Sequence, residues 1–438
     1  MIFALASRNA LLYLVAGLFF TACESNTATK SEPDQPSQNP KKAIVAAKSA
    51  PLNVSVFLEY SGGMKGFMPL QTAANPSTEF QQRVGDLFTD TYANSAIAQR
   101  QFFLCLEDSI SKPVKYQQMM AYVQGEKPKE AALGTELPDL LNAVLARPAA
   151  SREVSVVVSD FIYGPKNGAP LSQIKNRIRI ALVEASKAGL AIAVYAETSR
   201  FYGTFHPAVK VPKASRQLGG ERLPYYIWVV GPPALVARYT RAALTRPTAQ
   251  YAGFGLSLGK VPAVAVLTGL LAKSALLPTA GVSCDGVNGT ACQNLDVDLD
   301  GGASAEFAVA LNLSALPPAW QQPAFLAAQL HLQGAAGTTA AIVPGSLRAV
   351  AQAAGPLAGY THTVRVRLSA VAPGSTALRF VLPAPDALPG WVGQWSTEND
   401  NQPAPRTYRL TEVLAGVRAS YPAALPPVFT AVLTLNKE

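Results

Sequence analysis

The sequence predicts a doubly wound, mostly parallel α/β domain followed by a β-rich region built as a sandwich. Three observations carry that expectation. From Leu52 to about Leu244, apolar runs of strand length alternate with stretches of helical spacing, the pattern of βαβ units. After Thr248 the texture changes to strand-like runs separated by Pro/Gly clusters. The chain has 438 residues, too many for one ordinary core.

The elements follow in order. Asn53 to Tyr60 is a Val/Phe/Leu-rich strand. Ser77 to Asn94 has helical spacing, with Phe80, Val84, Leu87 and Phe88 on one face and Ser77 or Thr78 as its cap. Gln101 to Leu106 is a second strand. Leu137 to Ala146 is a second helix, with Pro138 in its first turn, where proline is tolerated. Glu153 to Ser159 is a continuous Val-rich run of the kind buried on both faces of a parallel sheet. A helix from Leu171 to Ala188 stops at Gly189, and Leu190 to Ala196 is the next strand. Tyr225 to Val230 is another strand, and Pro233 to Leu244 a helix. Beyond Thr248, strands are expected at Ala305 to Leu313, Ala324 to Leu332, Thr363 to Ala370 and Thr376 to Leu382. A helix is expected at Leu410 to Ala419, while Gly253 to Thr279 fits no single pattern. The organisation is then a leader at 1–22, a tether at 23–50, the α/β domain at 51–248 and the β-rich region at 249–438.

The N-terminus reads as an export signal. Arg8 gives a short positive region, and Ala10 to Ala22 is apolar and ends in small residues, too short a run for a comfortable membrane span. The run closes Phe20-Thr21-Ala22-Cys23, which resembles the lipobox of bacterial lipoproteins, with Phe20 in place of the usual Leu. The resemblance implies that Cys23 is acylated and becomes the first residue of the mature chain. Several acyl chains anchor firmly where one is marginal. Glu24 to about Ala50 is polar, Pro-containing and free of aromatics, so it cannot bury enough apolar surface to fold. As a flexible coil it would span roughly 30 Å. Glu24 stands where inner-membrane retention in some bacteria uses Asp, which points to the outer membrane.

Charge and cysteines narrow the classes. The net charge is +9, one less once Arg8 leaves, but the Lys and Arg residues are scattered. Without a dense basic run beside aromatics, nucleic-acid binding is not indicated. A solvated surface near anionic lipid or glycan fits better. Cys105 sits in an apolar strand pattern and reads as an inert core thiol. Cys284 and Cys292 lie close together in a Gly/Asn-rich stretch, and an oxidising envelope favours a disulfide between them. So short a staple is worth about 2.5 kcal/mol by loop entropy.

In a doubly wound sheet, ligands bind outside the carboxyl ends of the strands. The segments there are Glu59-Tyr60-Ser61-Gly62-Gly63-Met64-Lys65-Gly66-Phe67, Gly134-Thr135-Glu136 and Ser159-Asp160-Phe161. Together they resemble the von Willebrand factor A fold and its metal-ion-dependent adhesion site. That family carries Asp-x-Ser-x-Ser in the first loop, a Thr in a later loop and an Asp after a further apolar strand. The resemblance covers roughly Leu52 to Leu244. It implies a Mg²⁺ site in which Glu59, Ser61, Thr135 and Asp160 supply hard oxygen ligands, with one position left for a partner's carboxylate. Two residues depart from the pattern. Glu59 stands for Asp, and Gly63 stands for the second Ser, so one hydroxyl ligand is missing. The alternative is a retained scaffold in which the Gly-rich loop only makes a turn.

Other motifs are weaker. Asp296-x-Asp298-x-Asp300-Gly301 resembles the start of a calcium loop, but the closing Glu is absent: Phe307 is there and Glu306 is one short. Alternate acids on a strand's outward face explain it. Glu398-Asn399-Asp400-Asn401, beside Trp391 and Trp395, reads as an exposed turn, with a sugar or ion site as its rival. The three His residues, His206, His331 and His362, sit in no nucleophile motif, and there is no Walker or dinucleotide fingerprint. The expected function is a membrane-anchored, non-catalytic binding or adhesion module for a protein or another envelope component. The alternatives are a metal-dependent hydrolase of phosphate or glycan substrates, and a structural subunit of an envelope assembly.

Overall fold

The computed structural model describes residues 51–72, 76–106, 109–128, 137–151, 153–162, 173–212, 214–246, 250–267, 281–284, 291–299, 303–350, 357–402 and 404–438. The expectations for Cys23, the tether, Thr135, Asp300 and Gly301 lie outside these residues. The architecture is mixed α/β.

The first sheet has seven strands: β1 (Leu52–Glu59), β2 (Ile97–Leu106), β3 (Ser109–Ile110), β4 (Val154–Ser159), β5 (Ala191–Phe205), β6 (Arg216–Gly231) and β7 (Gln250–Phe254). Their order is β3-β2-β1-β4-β6-β5-β7. Helices α1 (Glu79–Ala93), α2 (Tyr116–Val123), α3 (Leu137–Ser151), α4 (Ile174–Lys187) and α5 (Pro233–Ala243) connect and flank them. Strand β1 is buried at every position but Asn53 because both its faces are covered. Val54, Val56 and Leu58 share a core with Phe80, Val84 and Phe88 of α1. Phe57 and Val157 share the opposite core with Leu141 of α3 and Ile178 of α4. Helix α1 starts where its cap chemistry dictates. The Thr78 hydroxyl accepts from Gln81 N–H at 3.1 Å, and the Gln81 side chain accepts from Thr78 N–H at 3.0 Å.

The sheet is not mostly parallel. Only the pairings β1–β2 and β1–β4 are parallel; β4–β6, β5–β6 and β5–β7 are antiparallel. The cause is the connection. No crossover helix separates β5 from β6, and a direct return through residues 206–215 can only pair them antiparallel.

The rest of the chain forms β8 (Ala263–Val266), β9 (Val282–Cys284), β10 (Ala291–Cys292), β11 (Asn294–Val297), β12 (Ala305–Leu311), α6 (Pro323–Gln329), β13 (His331–Gln333), β14 (Thr339–Ile342) and β15 (Arg348–Ala349). Then come β16 (His362–Ala370), β17 (Gly374–Leu382), α7 (Gly390–Trp395), β18 (Ser396–Thr397), β19 (Thr407–Tyr408), α8 (Leu410–Ser420) and β20 (Phe429–Lys437). One sheet runs β10-β8-β12-β16-β14, with β15 also on β16; another runs β13-β17-β20-β11-β9. Val309, Val364 and Val366 of the first share one apolar core with Leu378, Phe380 and Leu433 of the second. The strand expected at Ala324 to Leu332 is mostly helix α6. Pro323 stands at its first turn, and the Ala-rich segment has high helix propensity.

Cys284 and Cys292 are joined as a disulfide, and Cys105 is a buried free thiol. Asp296 accepts from the Asn436 amide at 3.2 Å. Glu306 is ion-paired to Arg365 and Arg367 across β16, so neither acid is arranged as a calcium ligand. Among the described residues, no helix is long and apolar enough to cross a membrane.

Residues 50–438 form one compact unit. The boundary expected after Thr248 runs through continuous packing: β7 joins the first sheet, and α8 lies on α4. Gly416 makes that contact possible, because a Cβ there would sit 2.7 Å from the Lys175 carbonyl oxygen.

Candidate functional site

The carboxyl ends of β1 and β4 lie side by side, since the two strands pair in parallel up to Leu58 and Val158. This register brings Glu59 beside Ser159 and puts the turn after β1 next to Asp160. All are deeply buried: Glu59 is 1% exposed, Ser61 4%, Ser159 0% and Asp160 3%.

The contacts form two short chains. The Ser159 hydroxyl donates to the Glu59 carboxylate and accepts from Phe161 N–H at 2.8 Å. Asp160 Oδ1 accepts from Ile162 N–H at 2.9 Å. Its other oxygen leans over the turn after β1. A Cβ at Gly63 would sit 2.7 Å from Asp160 Oδ2 and 3.5 Å from Ser61 Oγ. Gly63 has an ordinary right-handed backbone, so its requirement here is space and not conformation. Ser61 Oγ accepts from Met64 N–H at 3.4 Å, at the start of a 3₁₀ turn over Met64–Phe67. Phe161 holds a left-handed backbone (φ 53°), with its ring stacked on Trp228 at 4.4 Å. A non-glycine residue there stores of order 1 kcal/mol of strain, held by the burial of its ring.

Two buried acids this close cannot both carry full charge without company. Burial, and then repulsion from Glu59, pushes the Asp160 carboxyl well above the usual range. Burial and Glu59 push the Cys105 thiol upward as well.

Asp160 and Ser61 offer hard oxygens to one point, while the Glu59 carboxylate is engaged by Ser159. Among the described residues, no group of three or more His, Cys, Asp or Glu side chains could hold a metal ion. Asp160 Oδ2 occupies the space that a side chain at Gly63 would enter. The structure brings together three of the four expected residues, Glu59, Ser61 and Asp160; the fourth, Thr135, is not described.

His331 is exposed beside the Gln329 carbonyl, and His362 bridges Thr361 Oγ1 and the Gln321 carbonyl. His206 is exposed on the β5–β6 connection.

Asp400 and Asn401 are residues sequence reasoning misplaced. They are not an exposed turn: they are 3% and 0% exposed. Asp400 accepts from Ala208 and Val209 N–H at 2.7 and 3.0 Å, and Asn401 donates to the Val209 carbonyl at 2.8 Å. The partners lie about 190 residues away in the chain, and no local pattern signals them.

A small crevice beside Asp160 is lined by Phe67, Ile162, Phe201, Phe205, Arg406 and Thr407. Thr407 in turn bonds the Tyr226 hydroxyl at 2.7 Å. Comparison with protein-family models, with curated proteins and with solved structures finds no match to this chain.

Proposed function

We propose that the chain is a bacterial envelope lipoprotein, acylated at Cys23 and held at the outer membrane, with a von Willebrand A-like α/β region. That region acts as a non-catalytic binding module for a protein or another envelope component. The two C-terminal sheets form a supporting sandwich. One observation carries the reading. Ser61 and Asp160, about a hundred residues apart, meet at the carboxyl ends of adjacent parallel strands, around the point a Gly63 side chain would occupy.

A second reading has its own support. Burial of the donors, and the Asp160 carboxylate standing in a ligand's place, suit a structural subunit that keeps the fold without a metal. Calorimetric titration with Mg²⁺, Mn²⁺ and Ca²⁺ separates the two. A saturable heat lost in Asp160→Ala supports cation-dependent binding; no heat in wild type supports the structural subunit. The anchor is tested separately. Cys23→Ser should abolish acylation and release the protein from membranes, and a variant that still pellets after a high-salt wash refutes the lipoprotein reading.

A further inference from the structure

Strands β5 and β6 pair along their whole length, from Ala191 with Gly231 to Phe205 with Arg216. Their neighbours cover only part of it. Strand β4 reaches β6 no further than Tyr226, and β7 stops at Ala196 of β5. The outer half of the hairpin therefore projects past the carboxyl end of β4, on the edge that holds the candidate site. Its inward side chains Phe201, Phe205, Leu218 and Leu223 are buried, so the projection is part of the core and not a loose arm.

The tip of this projection has an unusual make-up. Val211 is 75% exposed, the most exposed of the large apolar residues described, and Pro212 beside it is exposed too. Lys210 is next to them in the chain. Lys65, from the turn after β1, and Lys210 both act electrostatically on His206. Arg406, also exposed, lines the crevice that Phe205 and Asp160 share. Lys210 Nζ donates to the Pro207 carbonyl within the same tip; Glu59, Asp160 and Asp400 are all buried, and Asp400 accepts from backbone N–H groups.

The tip is also held in place. Asp400 and Asn401 bind the backbone at Ala208 and Val209, and Arg216 donates to Asn401 Oδ1 at 2.9 Å. Two buried polar side chains thus fix an exposed apolar tip that has Lys210 beside it in the chain and projects from the edge where Lys65 and Arg406 lie. Ordering a tip before it binds removes an entropic cost at the moment of binding.

We propose that this tip is a membrane contact: Val211 and Pro212 enter the interfacial layer of an anionic phospholipid leaflet, and Lys65, Lys210 and Arg406 meet its phosphates. Apolar insertion flanked by cations is the chemistry of interfacial binding, and charge complementarity selects the anionic lipid. The inference goes beyond the proposed function, because it fixes which end of the body faces the bilayer. It follows from the body's own surface and needs no acyl anchor.

The test is co-sedimentation of the full chain with phosphatidylcholine vesicles, with and without phosphatidylglycerol. Wild type should prefer the anionic vesicles, and the preference should fade as salt rises, since the screening length is about 8 Å at physiological ionic strength. Lys65→Gln and Lys210→Gln should each weaken binding about fivefold, the loss expected for one cation at a charged leaflet. Val211→Asp should weaken it at least as much. All three side chains are exposed, so unchanged circular dichroism is expected to accompany the loss. Asp400→Asn, which loosens the tip, should give a partial loss.

Equal binding to neutral and anionic vesicles would overturn the proposal. So would a preference untouched by all the tip variants, which would assign it to the apolar N-terminus. Tighter binding to polyglutamate than to anionic vesicles, insensitive to Val211→Asp, would make the surface a site for an acidic polypeptide instead. Failure of the anchor would show as a lack of acylation at Cys23 and would leave the vesicle preference intact.

Discussion

Replacing Gly63 by Ala tests the geometry at the heart of the candidate site. The added Cβ would lie 2.7 Å from Asp160 Oδ2. Ordinary contact needs about 3.5 Å, so the carboxylate must retreat by roughly 0.8 Å. It is not free to do so, because its other oxygen holds Ile162 N–H at 2.9 Å. Overpacking of this kind costs about 1–3 kcal/mol, and straining a hydrogen bond to an acid adds to it. Gly63 sits at φ −64° and ψ −37°, where alanine is at ease. Stiffening the unfolded chain therefore returns about 0.4–1 kcal/mol. The expected net loss is about 1–2 kcal/mol, read from urea midpoints at constant m-value. Asp160→Ala removes the obstructing oxygen. In that background Gly63→Ala should cost nothing or stabilise slightly, so the double-mutant cycle should show coupling of about 2 kcal/mol. Additivity within about 0.5 kcal/mol would mean that Asp160 does not lie over Gly63, and the convergence argument would fall with it.

Two further outcomes follow from packing and charge. Gly416→Ala should lower stability by about 1–3 kcal/mol, because its Cβ would meet the Lys175 carbonyl at 2.7 Å and the Ile178 Cβ at 2.9 Å. Gly390→Ala, with nothing within 4 Å, is the control that should stay near neutral in the same urea titration. Glu79 sets a pH dependence. Burial alone would raise its carboxyl, but the backbone N–H groups of Arg200 and Glu79 and the guanidinium groups of Arg222 and Arg200 outweigh it and bring it down to about 2. A lowered acid stabilises the fold above its ordinary value of 4.5 and loses that contribution as pH falls from 4.5 towards 2. Glu79→Gln should flatten the stability profile in that window, and an unchanged acid limb would refute the assignment.

What the sequence made legible follows from how each segment meets water. Strands β1 and β4 are buried on both faces, so apolar residues dominate them and only small or terminal polar residues interrupt the pattern. Glu59 and Asp160 stood out because each closes such a run with an acid. Only the inner part of β5 was readable. Its outer part, Glu197-Thr198-Ser199-Arg200, still pairs with β6 but is polar because Glu197 and Arg200 make ion pairs with Arg83 and Glu79, and a polar stretch after an apolar one reads as a strand's end. The missed half of the hairpin is the part that makes the sheet antiparallel there. Helix α6 was misread as a strand because short apolar runs do not declare their period. Gly63 was legible as a departure from a motif, but its reason was not. The Asp160 oxygen that fills its place comes from the end of the neighbouring strand β4, about a hundred residues away in the chain.

The last third of the chain is where sequence reading had least purchase, and the cause is that its contacts are long-range. Helix α8 supplies Val413, Leu414 and Val417 to the core beneath Ile178 and Leu182 of α4. The Tyr421 hydroxyl donates to the Leu190 carbonyl at 2.8 Å, and Trp391 Nε1 donates to the Tyr251 carbonyl at 2.9 Å. Asp400 and Asn401 hold the β5–β6 tip. One stretch, residues 390–421, thus covers one face of the first sheet, pins its edge strand β7 and fixes the projection beyond its carboxyl edge. A helix pattern at Leu410 to Ala419 could be read locally, but the surface it would cover could not. The α/β core is completed by chain that follows most of the β-rich strands in sequence and precedes the last of them, β20. The proposed binding edge therefore depends on residues that local pattern alone would assign to a different domain.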